Sequence, residues 1–387
     1  MVNSGFWQVV RRELRIMSSR GSYLVIMIVV PIAMCLFFIS LLAPGLPLRV
    51  PTAIVDMDHS SLSRSITRSL SATEYVEITQ YCDSYENAMA EVRRGNIYGF
   101  FVIPAKLERD AVAGRTPTLE YYNNLTYFIP GTLAFKGFKA IAITTSGGML
   151  RAELSAVGMS EETSASFLQP MSIQHHPISN PWMSYAVYLC PSFTFGVLAL
   201  LILIMTVFGI TMEIKRGSSG VWLASAGGRI SVAVTAKLFP QFIVWSVVGQ
   251  LCIALLFCYN ELPCGNLWLI SLAVELFIIA NQALGLFVSC LLPNPRFALS
   301  VVSLFGILSF SFTGFSFPVQ QMYGAIAIFS YLAPVRYLFL IYTTSGLNEF
   351  VPYYSRFYLL ALTIFPLVAS TMLWRLKKAC LKPIYIP

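Results

Sequence analysis

The residues of this chain that could do chemistry fall into three groups. The first is the run Glu213-Ile214-Lys215-Arg216-Gly217-Ser218-Ser219-Gly220, followed by Val221-Trp222-Leu223 and then Gly227-Gly228-Arg229. An acid beside a basic pair, a glycine break and a short amphipathic piece carrying Trp222 suit docking into another protein better than a plain connector. The second group is polar residues set in apolar surroundings: Gln250, Glu275, Asn281 and Gln282, with Arg336 in a broken apolar stretch. Polar side chains are costly at membrane depth and default to functional candidates. They can line a path for the polar part of a cargo, or Glu275 can serve as partner to Arg336. A hydrogen bond between helices that fixes their packing is an equal reading. The third group is Asp56-x-Asp58-His59, which has the residue types of a metal site. Its position after a strand and before a helix favours a cap, from Asp58 or Ser60, over a ligand. His175-His176, just before Pro177, reads as a pair of solvated loop histidines.

Equally informative is the chemistry that is missing. No GxxxxGK[ST] stretch occurs, so this chain has no P-loop to cradle nucleotide phosphates, and energy for any work must come from another chain. GxSxG, HExxH and Cys/His metal spacings are absent too, and no CxxC pair occurs among the eight cysteines. Catalytic residues and a metal are therefore not expected. Most of the cysteines sit within or beside apolar runs and read as small buried hydrophobes.

The elements that must position these groups are membrane helices. Of 387 residues, 56% are hydrophobic and 11% charged, with a mean hydropathy of +0.69, which calls for lipid as solvent. Runs long enough to span appear at residues 23–42, 185–211, 232–257, 267–292, 298–315 and 357–374. Basic residues flank them on one face: Arg11, Arg12, Arg15 and Arg20; Lys215, Arg216 and Arg229; Arg296; and Arg375, Lys377, Lys378 and Lys382. The opposite loop at 259–266 carries only Glu261, so the basic face is read as cytoplasmic, with both termini inside. The net charge of +8 is then topology and lipid contact, and nucleic acid is not an expected partner.

The expected fold is an α-helical polytopic membrane protein, with six transmembrane helices, a re-entrant helical hairpin and an inserted α/β extracytoplasmic domain. Residues 1–21 are expected to form an interfacial amphipathic helix whose apolar arc is Phe6, Trp7, Val10, Leu14 and Met17. The first transmembrane helix occupies 22–43 and is read as uncleaved. Residues 44–183 form the inserted domain, with strands at 50–56, 75–81, 97–103 and 118–122 alternating with helix signals, and a helical second half from about 130 to 168. Helices two to six fill 184–374, with a cytoplasmic segment at 212–231 and a re-entrant region at 317–347, and 375–387 form a cytoplasmic tail. The re-entrant reading follows because a full extra span would put the basic tail on the wrong side.

With these residues assembled, the chain resembles the ABC-2 type transporter permeases, in the branch with a large extracytoplasmic domain between the first and second helices. Arg11-Arg12-Glu13-Leu14 with Pro31 is similar to that family's opening, VPTAIVDMDHSSLSRS (50–65) to the start of its external domain, and GFFVIP (99–104) to its third strand. EIKRG (213–217) is similar to its cytoplasmic coupling segment, and residues 314–318 and 332–337 to its re-entrant region. Tyr323 stands where the family often has proline, and Ser218-Ser219 replaces its more usual threonine and acidic pair.

The resemblance implies a permease subunit of an ATP-driven exporter in the inner membrane of a bacterial cell, paired with a second permease copy or paralogue. ATP and Mg would be bound by two separate cytoplasmic ABC ATPase subunits, with no cofactor on this chain. Glu213, Lys215, Arg216, Gly217 and Trp222 would couple to the ATPase, and Gln250, Glu275, Asn281, Gln282 and Arg336 would line the substrate path. A periplasmic adaptor and membrane lipid are further partners that the resemblance suggests. Two rival classes stand beside it. A ligand sensor with an extracytoplasmic binding domain gives no purpose to Arg336, and a lipid-modifying enzyme lacks an acid/base pair at a membrane face.

Overall fold

The computed structural model describes residues 2–160, 180, 184–315, 317–347, 353 and 355–381. The pair His175-His176, residues 161–168 of the expected helical stretch, and Lys382 lie outside the described residues. The chain divides into two compact units, one of Met1–Gly45 with Pro177–Pro387 and the other of Leu46–His176.

In the second unit β1 (Val50–Asp56), α1 (Ser61–Ser71), β2 (Val76–Tyr81), α2 (Tyr85–Arg94), β3 (Gly99–Ile103), α3 (Leu107–Val112) and β4 (Glu120–Asn123) follow one another, and α4 (Phe128–Ala156) closes the run. The sheet order is β2-β1-β3-β4, with β1 parallel to both neighbours and β4 antiparallel to β3. β1 and β3 are apolar without alternation because both faces are covered, as expected of central parallel strands. Ile54, Phe101 and Ile103 pack on one face with Ile66, Leu70 and Ala134. Ala53, Val55, Phe100 and Val102 pack on the other with Ala88.

Caps set the helix starts. Ser60 Oγ accepts from Ser63 N and Ser84 Oγ from Asn87 N, while α2 stops at Gly95, whose φ of +81° suits a residue without Cβ. The Asp56 and Asp58 oxygens are engaged by this turn chemistry: Asp56 accepts from Asp58 N, His59 N and Ser63 Oγ, and Asp58 from Glu108 N. Partial burial alone would raise the Asp58 carboxyl, but the Ser60 side chain and the backbone amides of Glu108, Lys106 and Leu107 hold it below the usual carboxylate range.

The first unit is helical. Among the described residues six helices are long and apolar enough to cross a membrane: Gly21–Leu42, Tyr185–Lys215, Ile230–Tyr259, Leu267–Leu291, Pro295–Phe312 and Arg356–Leu381. The second span, at 31 residues and about 1.5 Å each, is roughly 45 Å long and outreaches a hydrocarbon core of about 30 Å, so its last turns project beyond it. The second and fifth spans approach closely at Gly196, where a Cβ would lie 2.5 Å from the Phe310 ring. Between the fifth and sixth spans come two short helices, Gly324–Tyr331 and Pro334–Thr344, bent from each other by 82°. Pro334 at the start of the second lacks the N–H that would continue the first, and neither leg is long enough to span.

Two expectations are corrected. The N-terminal helix (Val2–Ser19) buries Val9, Val10, Glu13 and Met17, while Trp7 and Leu14 of the expected apolar arc are half exposed. The buried stripe is turned so that it carries an acid inward. The sixth span does not end at residue 374: after a break at Met372 the chain runs on as a helix, Leu373–Leu381, with Leu376 and Cys380 buried. Between the second and third spans lies Ser219–Ser225, a turn helix that buries Trp222 and Leu223 and ties to the last helix through Ser219 Oγ donating to Cys380 O at 2.9 Å.

Candidate functional site in the helical bundle

Beside the turn that joins the second and third spans, four charged side chains meet in one largely buried network. Lys237, inside the third span and 2% exposed, donates to Glu13 Oε1 at 2.6 Å and to Glu213 Oε1 at 3.1 Å. Arg12 donates to Glu213 Oε2 at 2.8 Å and to Glu13 Oε1 at 3.1 Å. Ser218 Oγ donates to Glu213, and the Lys237 ammonium lies 5.3 Å from the Trp222 ring centroid. Trp222 Nε1 in turn donates to Ala233 O at 3.3 Å, so the indole is held both by its ring face and by its edge.

Each element of the network is placed by apolar packing. Val9 and Val10 of the N-terminal helix, Ile210 and Ile214 of the second span, Trp222 and Leu223 of the turn helix, and Ala233, Val234 and Ala236 of the third span share one buried cluster. Glu213 sits one position before Ile214 and Lys237 one after Ala236, so the packing that buries the apolar residues also draws the charges inward. Two cations and two anions cancel, which makes their burial tolerable; isolated, each would cost several kcal/mol in desolvation. The network therefore joins four elements that are separate in sequence: the N-terminal helix, the second span, the turn helix and the third span.

Of the residues expected to act here, Glu213 and Trp222 are joined by the network. Lys215 and Arg216 are exposed beside it, and Gly217 ends the helix with a φ of +70°. Arg12, Glu13 and Lys237 were not singled out by type and spacing. A signal existed for Lys237, since a lysine inside an apolar run of spanning length is itself anomalous.

The second polar group divides. Glu275 accepts from Gln250 Nε2 at 2.7 Å and from Ser246 Oγ, and Ser271 Oγ donates to Gln250 Oε1 at 2.7 Å, forming a polar ladder between the third and fourth spans. The geometry is that of an interhelical tie. Asn281 Nδ2 donates to Phe277 O of its own helix at 2.8 Å, and Gln282 Nε2 to Leu238 O at 3.3 Å, so neither joins the ladder.

The expected pairing of Glu275 with Arg336 does not form. Arg336 is buried at 7% exposure, donates to Ser330 Oγ at 3.0 Å and stacks 4.6 Å from the Tyr331 ring centroid, and its Nε has no partner. The reason is chain geometry: the 82° bend turns Arg336 toward the short helix before it, while Glu275 is already engaged by the third span.

No match to the chain is found among curated proteins. The family described as ABC-2 family transporter protein matches residues 21–375, which takes in the first five spans, the bent pair, the α/β unit and most of the sixth span. A match over that length establishes that this protein belongs to the ABC-2 transporter family.

Proposed function

We propose that the chain is the permease subunit of an ATP-driven exporter, with ATP hydrolysed on a separate ABC ATPase chain and with the charge network coupling the two. The observation that carries this reading is the union of four elements through Arg12, Glu13, Glu213 and Lys237, beside exposed Lys215 and Arg216. A partner that pushes on the turn helix moves Trp222, hence Lys237 and Glu213, hence the second and third spans. Packed elements with paired charges shift as units and do not yield locally. The positive-inside rule puts this end, with Arg11, Arg15, Lys215, Arg216 and Arg229, in the cytoplasm and the α/β unit on the other side, in a cell's inner membrane. The bent pair is then a re-entrant hairpin near the outer interface. A second copy or paralogue would complete the permease, and the cargo would move outward.

The test uses the permease co-expressed with ABC ATPases from the same cell. Glu213→Ala should still co-purify with the ATPase but lose the permease-dependent change in ATP turnover. Normal coupling in that variant, or a wild-type permease that captures no ATPase, would refute the reading.

A further inference from the structure

Outside the network and the ladder, the bundle holds a cleft of about 400 Å3. This lies within the roughly 300–1,000 Å3 of small-molecule pockets. Its inner wall is Leu203 and Val302, each 1% exposed, with Phe287 and Phe365; its rim includes Val301, Ile364 and Val368 of the fifth and sixth spans, each about half exposed. The cleft therefore opens along the fifth and sixth spans, and also at Tyr331 and Leu332 of the bent pair, each about half exposed. Its lining is hydrocarbon apart from Tyr331 and Tyr337, and the Tyr337 hydroxyl is already donated to Tyr331 O at 2.9 Å. Such a space offers water too few partners to hold it.

The bent pair supplies a second feature. Tyr331, on the cleft wall, carries the Arg336 guanidinium over its ring at 4.6 Å, and Arg336 is more than nine-tenths buried with Nε unpartnered and no carboxylate bound among the described residues. A buried cation lacking an anion is an unfinished interaction. We infer that the cleft binds one acyl chain of an anionic phospholipid, with the tail between the fifth and sixth spans and the phosphate end toward Arg336. The apolar lining, the lateral opening and the unmatched cation beside it call for the two parts of that one molecule. The inference does not depend on the direction of transport or on the ATPase: the lipid can be a resident of the permease or its cargo.

The experiment reconstitutes the full-length permease in vesicles containing phosphatidylglycerol with a photoreactive group on one acyl chain, or phosphatidylcholine with the same chain. After irradiation the labelled peptides are mapped by mass spectrometry. Labelling should concentrate on residues 284–305 and 361–368, above that of the exposed face of the first span at Val29 and Phe37. Phosphatidylglycerol should label more than phosphatidylcholine, and Arg336→Gln should erase that preference while tail labelling persists. Ala361→Trp, at a half-buried wall position, should cut cleft labelling by about ten-fold, since displacing even two methylenes of a tail forfeits that much affinity. Ile364→Trp at the rim, and a thermal melt of each variant, separate filling from misfolding. Labelling of the cleft no stronger than that of the first span, no headgroup preference, or an Ala361→Trp and Ile364→Trp pair that fold yet label normally would each overturn the proposal. So would a Val301→Cys variant that crosslinks to a second copy of the chain, which would make the cleft a subunit contact.

Discussion

Lys237 and Arg336 are both basic, both buried and both within the helical bundle, yet their surroundings are opposite. Lys237 is held between two carboxylates, with an indole face beside it. Arg336 has a hydroxyl and a phenol ring, and no acid. A buried charge is tolerated only when its lost hydration is replaced. For Lys237 the replacement is internal, so removing any one member strands the others. For Arg336 it is incomplete, so removal strands nothing and the site remains open to an anion from outside the chain. The first arrangement holds elements in register; the second waits for a ligand.

The largest effect is expected from Lys237→Met. It leaves Glu13 and Glu213 facing one another with only Arg12 to balance them, and breaking a buried pair in this way costs about 3–5 kcal/mol. Thermal unfolding in detergent should show a large loss of stability, and a wild-type melt would mean the network is hydrated and screened. Adding Glu13→Gln to Lys237→Met should then recover part of that loss, because the second change removes a stranded acid. A coupling of about 0.5–3 kcal/mol is the expected range for residues in one network. Strict additivity of the two changes would show that the carboxylate and the ammonium do not sense each other.

Arg336→Met is expected to be nearly neutral or stabilising, within about 1 kcal/mol. It gives up a ring contact of about 1–2 kcal/mol but relieves the several kcal/mol of desolvation carried by a lone ion. The same melt decides it: a loss as large as that of Lys237→Met would erase the contrast between the two cations. The most local effect lies away from both. Ser84→Ala removes the N-cap of α2 in the α/β unit and should cost about 1 kcal/mol. Hydrogen exchange should show the amides at the start of Tyr85–Arg94 losing protection while the bundle is unchanged.

Which features were legible in the sequence follows from how local their causes are. The six spans could be read because lipid imposes a length on apolar runs, and each is found within a few residues of its expected place except at the C-terminal end of the sixth. The strands of the α/β unit and the Ser60 cap were legible for the same reason, since turn and cap chemistry is set within three or four residues. The rotation of the N-terminal helix was not. Its sequence offers two overlapping stripes, and the third span selects the one that brings Glu13 to Lys237, 224 residues away.

By itself the sequence determined the membrane class, the number of spans, the absence of a nucleotide-binding loop and the special character of the turn at 213–229. Only the tertiary structure decided which charges meet. It withdrew Arg336 from Glu275, gave Glu275 to the third span, and placed Arg12, Glu13, Glu213 and Lys237 together. The physical reason is that hydrophobic length is a sum over neighbours along the chain, whereas ion pairing depends on helix rotation and on the 82° bend, which are fixed by packing between distant segments.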